Sequence, residues 1–181
     1  MDLPEWTHFK QELDVTIGRD RFPQNNMGKL ILLRGPSGTG KSTIAREIHG
    51  RESNHQAKIC HFESDQFFVD EETGTYRFNI AKLSAAHRWN QLQVERAMLH
   101  QSPIVIVSNT FIAHWEMERY LELAEEYHYD RQLIRTPGPW DADTLFRRNK
   151  HNVPMDVLKR HISGFQPHDE DELWTDLSIF K

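Results

Sequence analysis

The segment Leu30-Ile31-Leu32-Leu33-Arg34-Gly35-Pro36-Ser37-Gly38-Thr39-Gly40-Lys41-Ser42 decides the fold of this chain. Its first four residues form an apolar run that is typical of a buried strand. The last eight match the pattern G-x-x-x-x-G-K-S in full, and a helical pattern continues through Ile48. A glycine-rich loop between a strand and a helix presents backbone N–H groups to phosphate oxygens. The segment therefore predicts a strand, a phosphate-binding loop and a helix.

Each part of the loop has a predicted role. Glycine at 35, 38 and 40 allows the positive φ angles that turn successive N–H groups inward. Lys41 is expected to bind the β- and γ-phosphates of a nucleoside triphosphate, and the Ser42 hydroxyl to bind Mg²⁺. The predicted nucleotide-binding residues are Gly35, Pro36, Ser37, Gly38, Thr39, Gly40, Lys41, Ser42 and Thr43. The predicted cofactors are ATP and Mg²⁺.

Strand patterns and helix patterns alternate along the rest of the chain. Strands are expected at 57–62, 103–109 and 129–136, and helices at 79–101, 115–127, 141–150 and 154–164. This alternation predicts an α/β fold of three layers, in which helices flank a parallel sheet and a helical lid covers one end. Ligands of such sheets bind beyond the carboxyl ends of the strands. The candidate site residues therefore follow the strands, at 35–42, 64–65 and 108–110.

The chain is expected to form one P-loop kinase domain over residues 1–181, with a core at about 29–166. Residues 1–26 are interpreted as a helix and connector that pack on the core, and the acidic residues 167–181 as a solvated tail. The net charge of −5 excludes a generally basic nucleic-acid-binding surface, but a local basic track would serve an enzyme. One cysteine, no signal peptide and no apolar run long enough to span a membrane favour a cytoplasmic protein.

The phosphate loop alone does not identify the reaction. Two motifs that are missing from the sequence argue against two classes of P-loop protein. A GTPase would carry N-K-x-D, but residues 149–152 read N-K-H-N and lack the carboxylate. A motor-type ATPase would end a strand in Asp or Glu, whereas Ser108 and Asn109 follow the run 104–107. A kinase that acts on a hydroxyl needs a carboxylate base and cations for the transferring phosphoryl group. Asp65 is the candidate base, although it could instead only cap the following turn.

Arginines of the two closing helices are candidate cations. Arg147 and Arg148 precede the break at Pro154 and could belong to a lid that closes over the triphosphate. The alternative is an ordinary basic surface helix.

Four segments together resemble the P-loop polynucleotide 5′-hydroxyl kinase family, in particular the phage end-repair enzymes within the AAA-type and zeta-toxin-like group. These segments are 35–42, Ser64-Asp65, Ser108-Asn109-Thr110, and Arg148-Asn149 followed by 153–158. Residues 65–68, 74–79 and 86–90 are similar to the cellular branch of that group, which includes the kinase-like domain of a ubiquitin-ligase-binding protein. The resemblance implies transfer of the γ-phosphate of ATP to a hydroxyl, with Asp65 as general base and Arg148, then Arg147, as lid cation.

This sequence differs from the phage enzymes at positions that bind the acceptor substrate in those enzymes. The arginine that holds the substrate's 3′-phosphate is replaced by Phe68, and the aspartate that helps to seat the substrate by Asn109. A second lid arginine has no counterpart, since Asn152 is the nearest position. The candidate acceptor residues are Phe68, Tyr76, Asn109 and Thr110, and an aromatic ring at 68 or 76 could stack on a base.

Three functions therefore stay open from the sequence. The first is an ATP-dependent kinase for the 5′-hydroxyl end of DNA or RNA. The second is a kinase for another hydroxyl, on a nucleoside, a modified DNA base or a small molecule. The third is a nucleotide-binding adaptor with little turnover, against which the presence of both Lys41 and Asp65 argues. Protein partners cannot be read from the sequence.

Overall fold

A computed structural model describes residues 28–53 and 59–176. The strands in these residues are β1 (Gly28–Arg34), β2 (Ile59–Phe62), β3 (Ile104–Val107), β4 (Tyr129–Arg135) and β5 (Asp171–Leu173). They form a sheet of order β2-β3-β1-β4-β5 in which every neighbouring pair is parallel. The helix predicted within residues 1–26 lies outside the described residues.

Helices connect the strands and cover both faces of the sheet. They are α1 (Lys41–Ser53), α2 (Leu83–Leu99), α3 (Trp115–Glu126), α4 (Ala142–Arg148) and α5 (Met155–Gly164). Two 3₁₀ turns, Ser64–Phe68 and Ile80–Lys82, precede α2. No helix in the described part of the chain has both the length and the apolar character needed to cross a membrane. The predicted three-layer α/β fold of P-loop NTPases is confirmed.

The apolar run of β1 explains why this strand lies in the middle of the sheet. Neighbouring side chains of a strand point to opposite faces. Leu30 and Leu32 pack with α2 and α3, whereas Ile31 and Leu33 pack with α1. All four side chains are buried, and each contributes about 1.5–3 kcal/mol to folding. The central strand thus fixes the position of the loop that follows it.

The sheet extends beyond the predicted core boundary at residue 166. Residues 168–172 were expected to belong to a solvated acidic tail, and this prediction is wrong for Asp171. Asp171 begins β5, which pairs with β4 over Leu133–Arg135. Its carboxylate accepts hydrogen bonds of 2.8 and 3.1 Å from Nη1 of Arg34, a side chain with no exposed surface. A buried guanidinium needs a counterion, and this need draws the acidic segment into the fold.

Candidate active site

The phosphate loop lies between the central strand β1 and helix α1. Gly35, Gly38 and Gly40 have φ angles of +144°, +82° and +93°, so the predicted positive φ angles are confirmed. A Cβ atom at Gly38 would lie 2.5 Å from the carbonyl oxygen of Leu145. Glycine is therefore needed at 38 for two reasons, its backbone angle and the direct approach of α4. The predicted lid helix rests against the loop.

Lys41 is buried beneath the loop. Its Nζ donates hydrogen bonds to the carbonyl oxygens of Gly35 (2.8 Å) and Pro36 (3.0 Å). Burial lowers the pKa of Lys41 to about 8, and the negative charges of Glu63 and Asp65 partly oppose that change. The lysine thus lies in the electrostatic field of two carboxylates that follow β2.

The Ser42 hydroxyl, the predicted metal ligand, contacts a carboxylate that the sequence analysis did not assign. Ser42 Oγ and Ser108 Oγ each donate a hydrogen bond of 2.6 Å to Oε1 of Glu63. His61 Nε2 lies 2.7 Å from Ser108 Oγ and 3.4 Å from the same carboxylate oxygen. Glu63 immediately follows β2, and the only signal for it in the sequence is its place at a strand end.

The hydrogen bonds to Glu63 hold it in its ionised form. Burial alone would raise the pKa of this carboxyl group. The hydrogen bonds from His61, Ser108 and Ser42 outweigh burial and lower the pKa to about 2. An ionised carboxylate therefore lies beside the Ser42 hydroxyl. Hydroxyl and carboxylate oxygens are ligands that suit Mg²⁺.

Asp65, the candidate base, lies in the 3₁₀ turn after β2. Its Oδ1 accepts a hydrogen bond of 2.7 Å from the Tyr76 hydroxyl, and its Oδ2 lies 3.9 Å from Nε2 of His151. Burial, together with the contact to Asp65, raises the pKa of Tyr76 and keeps its hydroxyl protonated as a donor. The side chain of Asp65 is 43% exposed, so a substrate can reach it.

Two of the candidate acceptor residues prove to be interior residues. Phe68 is 6% exposed, and its ring packs edge-on against those of Phe67, Tyr76 and Phe78. Its ring therefore has no open face for a stacking base. Asn109 is 9% exposed, and its Oδ1 accepts a hydrogen bond of 2.8 Å from the backbone N–H of Ser64. Asn109 thereby holds the turn that carries Asp65.

Thr110 contacts the loop through its backbone. Its carbonyl oxygen accepts a hydrogen bond of 2.9 Å from the N–H of Gly35. This bond joins the end of β3 to the first glycine of the phosphate loop. Of the four candidate acceptor residues, Tyr76 is the one whose side chain contacts the candidate base.

The two predicted lid arginines lie in the last turn of α4 and are exposed. Arg147 donates a hydrogen bond of 3.3 Å to Thr144 in its own helix. The helix approaches the loop through Leu145, while both arginines remain on its surface. The structure thus brings the lid helix to the loop without a contact between either guanidinium and the loop.

Helix α5 carries a histidine that the sequence analysis did not single out. Burial lowers the pKa of His161, and the nearby charges of Lys41 and Arg160 lower it further. Its Nδ1 is buried and has no hydrogen-bond partner among the described residues. The second lid helix therefore places a neutral imidazole in the field of the loop lysine.

The chain is similar to known proteins over most of its length. NEDD4-binding protein 2 of Homo sapiens is 34% identical over 140 residues, which are 76% of this chain and 8% of that protein. The solved Pnkp1/Rnl/Hen1 RNA repair complex contains a chain with a TM-score of 0.54 and 17% identity; the match covers 78% of this chain and 45% of that one. This chain thus spans less than half the length of either protein.

Two smaller solved kinases match along most of their length. The APS kinase CysC of Mycobacterium tuberculosis has a TM-score of 0.58 and 15% identity, with 86% of this chain and 92% of that chain covered. A sugar kinase from Janibacter sp. has a TM-score of 0.53 and 17% identity, with 81% and 84% covered. At such identities these likenesses show the P-loop kinase-like fold.

The family comparison covers most of the described chain. The model of the AAA_33 family, described as an AAA domain, matches residues 30–168. This range includes the phosphate loop, Glu63, Asp65 and both lid helices. The chain therefore belongs to the AAA_33 family.

Proposed function

We propose that this protein is an ATP-dependent kinase that transfers the γ-phosphate to a hydroxyl group, and that the 5′-hydroxyl end of DNA or RNA is its acceptor. One observation carries the proposal: Asp65 is exposed at the carboxyl edge of the sheet, and its charge acts on Lys41, where it partly opposes the lowering of the lysine pKa by burial. A protein that only bound nucleotide would have no use for a carboxylate in this position.

The residues have separate roles in this reaction. Lys41 and the backbone of the loop bind the phosphates. Asp65 accepts the proton of the acceptor hydroxyl as its oxygen attacks the γ-phosphorus, and the bond from that phosphorus to the β–γ bridging oxygen of ATP breaks. Arg148, with Arg147 as second choice, stabilises the charge on the transferring group when the lid closes.

The residues around Ser42 fit a magnesium ion. The Ser42 hydroxyl is exposed, and the ionised Glu63 carboxylate lies 2.6 Å from it. Ser42 would ligate the ion directly, and Glu63 would orient Ser42 and add negative charge near the ion. When bound, Mg²⁺ neutralises charge on the β- and γ-phosphates. Glu63 thus supplies the carboxylate that is missing after β3.

The choice of nucleic acid as acceptor is supported by the resemblance in the segments 64–65, 108–110, 148–149 and 153–158. The Pnkp1/Rnl/Hen1 complex is, by its description, an RNA repair complex. A kinase for another hydroxyl is the second candidate. The burial of Phe68 and Asn109 favours it, because these positions do not offer the phage-type contacts to a nucleic-acid substrate.

One labelling experiment tests the proposal. The protein is incubated with γ-labelled ATP, Mg²⁺ and a panel of 5′-hydroxyl oligonucleotides, nucleosides, intact DNA and sugars. We expect label on oligonucleotide ends. Label confined to nucleosides, internal bases or sugars would select the second candidate, and no label on any compound would favour a nucleotide-binding adaptor. Asp65→Asn is expected to abolish transfer while ATP binding persists, and full transfer by this variant would exclude Asp65 as the base.

A further inference from the structure

The connector between the two lid helices reaches the candidate base. His151 lies in this connector, and its Nε2 is 3.9 Å from Oδ2 of Asp65. Its ring centroid is 4.9 Å from that of Tyr76. The lid thus contacts the site at two separate places: α4 rests on the phosphate loop, and the connector meets the base.

Hydrogen bonds within the connector fix the position of His151. Asn149 accepts a bond of 3.1 Å from the N–H of His151 through Oδ1, and its Nδ2 donates a bond of 2.8 Å to the carbonyl oxygen of Val153. Asn152 has a φ angle of +54°, a left-handed conformation that asparagine tolerates better than most residues. The backbone is therefore folded into a tight turn that presents the histidine to Asp65.

The two oxygens of Asp65 have different surroundings. Oδ1 accepts the Tyr76 hydroxyl, whose own position is set by an antiparallel bridge between Val69 and Tyr76. Oδ2 faces His151. The oxygen that meets an incoming hydroxyl is therefore Oδ2, and its nearest neighbour from the lid is an imidazole nitrogen.

We propose that Asp65 Oδ2 and His151 Nε2 form an acceptor clip, in which one hydroxyl oxygen of the substrate binds between the two atoms. This inference rests on the proposed function and assigns an acceptor-binding residue to it. With 3.9 Å between the two atoms, an oxygen at about 2.8 Å from each sees them at about 90°, within the range that a hydroxyl accommodates.

In this arrangement each of the four directions around the substrate oxygen has a partner. The hydroxyl donates its proton to Oδ2, and one of its lone pairs accepts the N–H of His151 at Nε2. The carbon substituent takes the third direction, and the second lone pair is left for the γ-phosphorus. During transfer the proton passes to Asp65, the new P–O bond forms, and the bond to ADP breaks. His151 keeps its proton and orients the nucleophile.

The clip predicts that recognition of the hydroxyl depends on the lid. Because His151 comes from the connector and Asp65 from the sheet, the two atoms meet only when the lid is in place. A compound of the same shape without the hydroxyl fills the same space but leaves both clip atoms without their common partner.

Binding and kinetics with matched acceptors test the clip. Oligonucleotides with a 5′-hydroxyl and with a 5′-deoxy end are bound to the protein with a non-hydrolysable ATP analogue, and transfer to the hydroxyl form is measured separately. We expect the wild type to prefer the hydroxyl form about tenfold, which is the effect of about one to two hydrogen bonds. His151→Ala retains only the bond to Asp65, so this preference is expected to fall and kcat/KM for the acceptor to drop about tenfold, with ATP affinity unchanged.

Two further variants separate the clip from a structural role of the side chain. His151→Gln retains an N–H donor and is expected to recover part of the preference. His100→Gln changes an exposed histidine just before β3, at the opposite edge of the sheet, and should behave as the wild type. The side chain of His151 is 38% exposed, so its removal leaves the core intact.

The outcomes distinguish the clip from the proposed function. Transfer and hydroxyl preference that both survive His151→Ala would overturn the clip alone, as would an equal loss of ATP affinity in that variant. If the wild type phosphorylates no hydroxyl compound of the panel, the proposed function fails and the clip fails with it.

Discussion

Ser42 Oγ donates a hydrogen bond of 2.6 Å to Oε1 of Glu63. This bond joins the last residue of the phosphate loop to the first residue after β2. Ser108 donates to the same oxygen from the end of β3. The sheet order places β3 between β2 and the central strand β1. The ends of β2 and β3 and the start of α1 therefore converge on one ionised carboxylate at the predicted metal position.

Loss of the Glu63 charge should weaken binding of the metal and spare binding of the nucleotide. In Glu63→Gln we expect the Mg²⁺ concentration for half-maximal ATP binding to rise about tenfold. An effect of this size is typical when a residue that hydrogen-bonds to a metal ligand is replaced. ATP affinity in EDTA should stay within about twofold. Isothermal titration calorimetry with and without Mg²⁺ measures both quantities. Glu122→Gln, on the exposed part of α3, is the control, and an unchanged Mg²⁺ requirement in Glu63→Gln would contradict the assignment.

ATP affinity should fall as the pH rises past the pKa of Lys41. Burial lowers that pKa to about 8 in the free protein, and the phosphates require the protonated form. Below about pH 7 the lysine is charged and affinity is constant. Above pH 8 each binding event must first protonate Lys41, so the affinity declines and binding takes up a proton. Titrations from pH 6.5 to 9.5 in EDTA test this, and Lys41→Met should bind weakly without that decline.

The ion pair between Arg34 and Asp171 should contribute strongly to stability. Asp171→Ala removes the carboxylate that pairs with a guanidinium of no exposed surface, and we expect a loss of about 3–5 kcal/mol in the free energy of unfolding. Urea unfolding measures it. Glu170→Ala breaks the neighbouring exposed pair with Arg131 and should cost less than about 1 kcal/mol. Equal effects of the two substitutions would contradict the buried role.

Removal of the Tyr76 hydroxyl should slow transfer without a change in ATP binding. Tyr76→Phe keeps the ring that packs on Phe68 but leaves Oδ1 of Asp65 without its donor. We expect kcat to fall about tenfold, because the base is no longer held in one orientation. Tyr129→Phe loses a comparable bond, to the carbonyl oxygen of Ser102. It should reduce stability by about 1 kcal/mol and leave kcat unchanged.

The fold and the phosphate loop could be predicted because their signals are local. The alternation of Leu30 to Leu33 between two faces and the spacing of the glycines are properties of short segments. Positive φ angles at Gly35, Gly38 and Gly40 follow from the residue type and its place before a helix. Such features need no knowledge of how distant parts of the chain meet.

The carboxylate beside Ser42 and the last strand could not be predicted, because their signals are not local. Glu63 gains its role from Ser42, 21 residues away, and from Ser108, 45 residues away. Asp171 joins the sheet where its carboxylate pairs with the buried Arg34, 137 residues away. In the sequence, both acidic residues have the same appearance as solvated surface charges. Their roles arise from the order of the strands, which the local pattern does not encode.

The close approach of Gly38 to Leu145 couples the phosphate loop to α4. The atoms of α4 nearest to a Cβ at position 38 are backbone atoms of Leu145, which cannot turn aside as the end of a flexible side chain can. A larger residue at position 38 would therefore displace the helix itself, and the contact between loop and lid helix depends on the missing side chain.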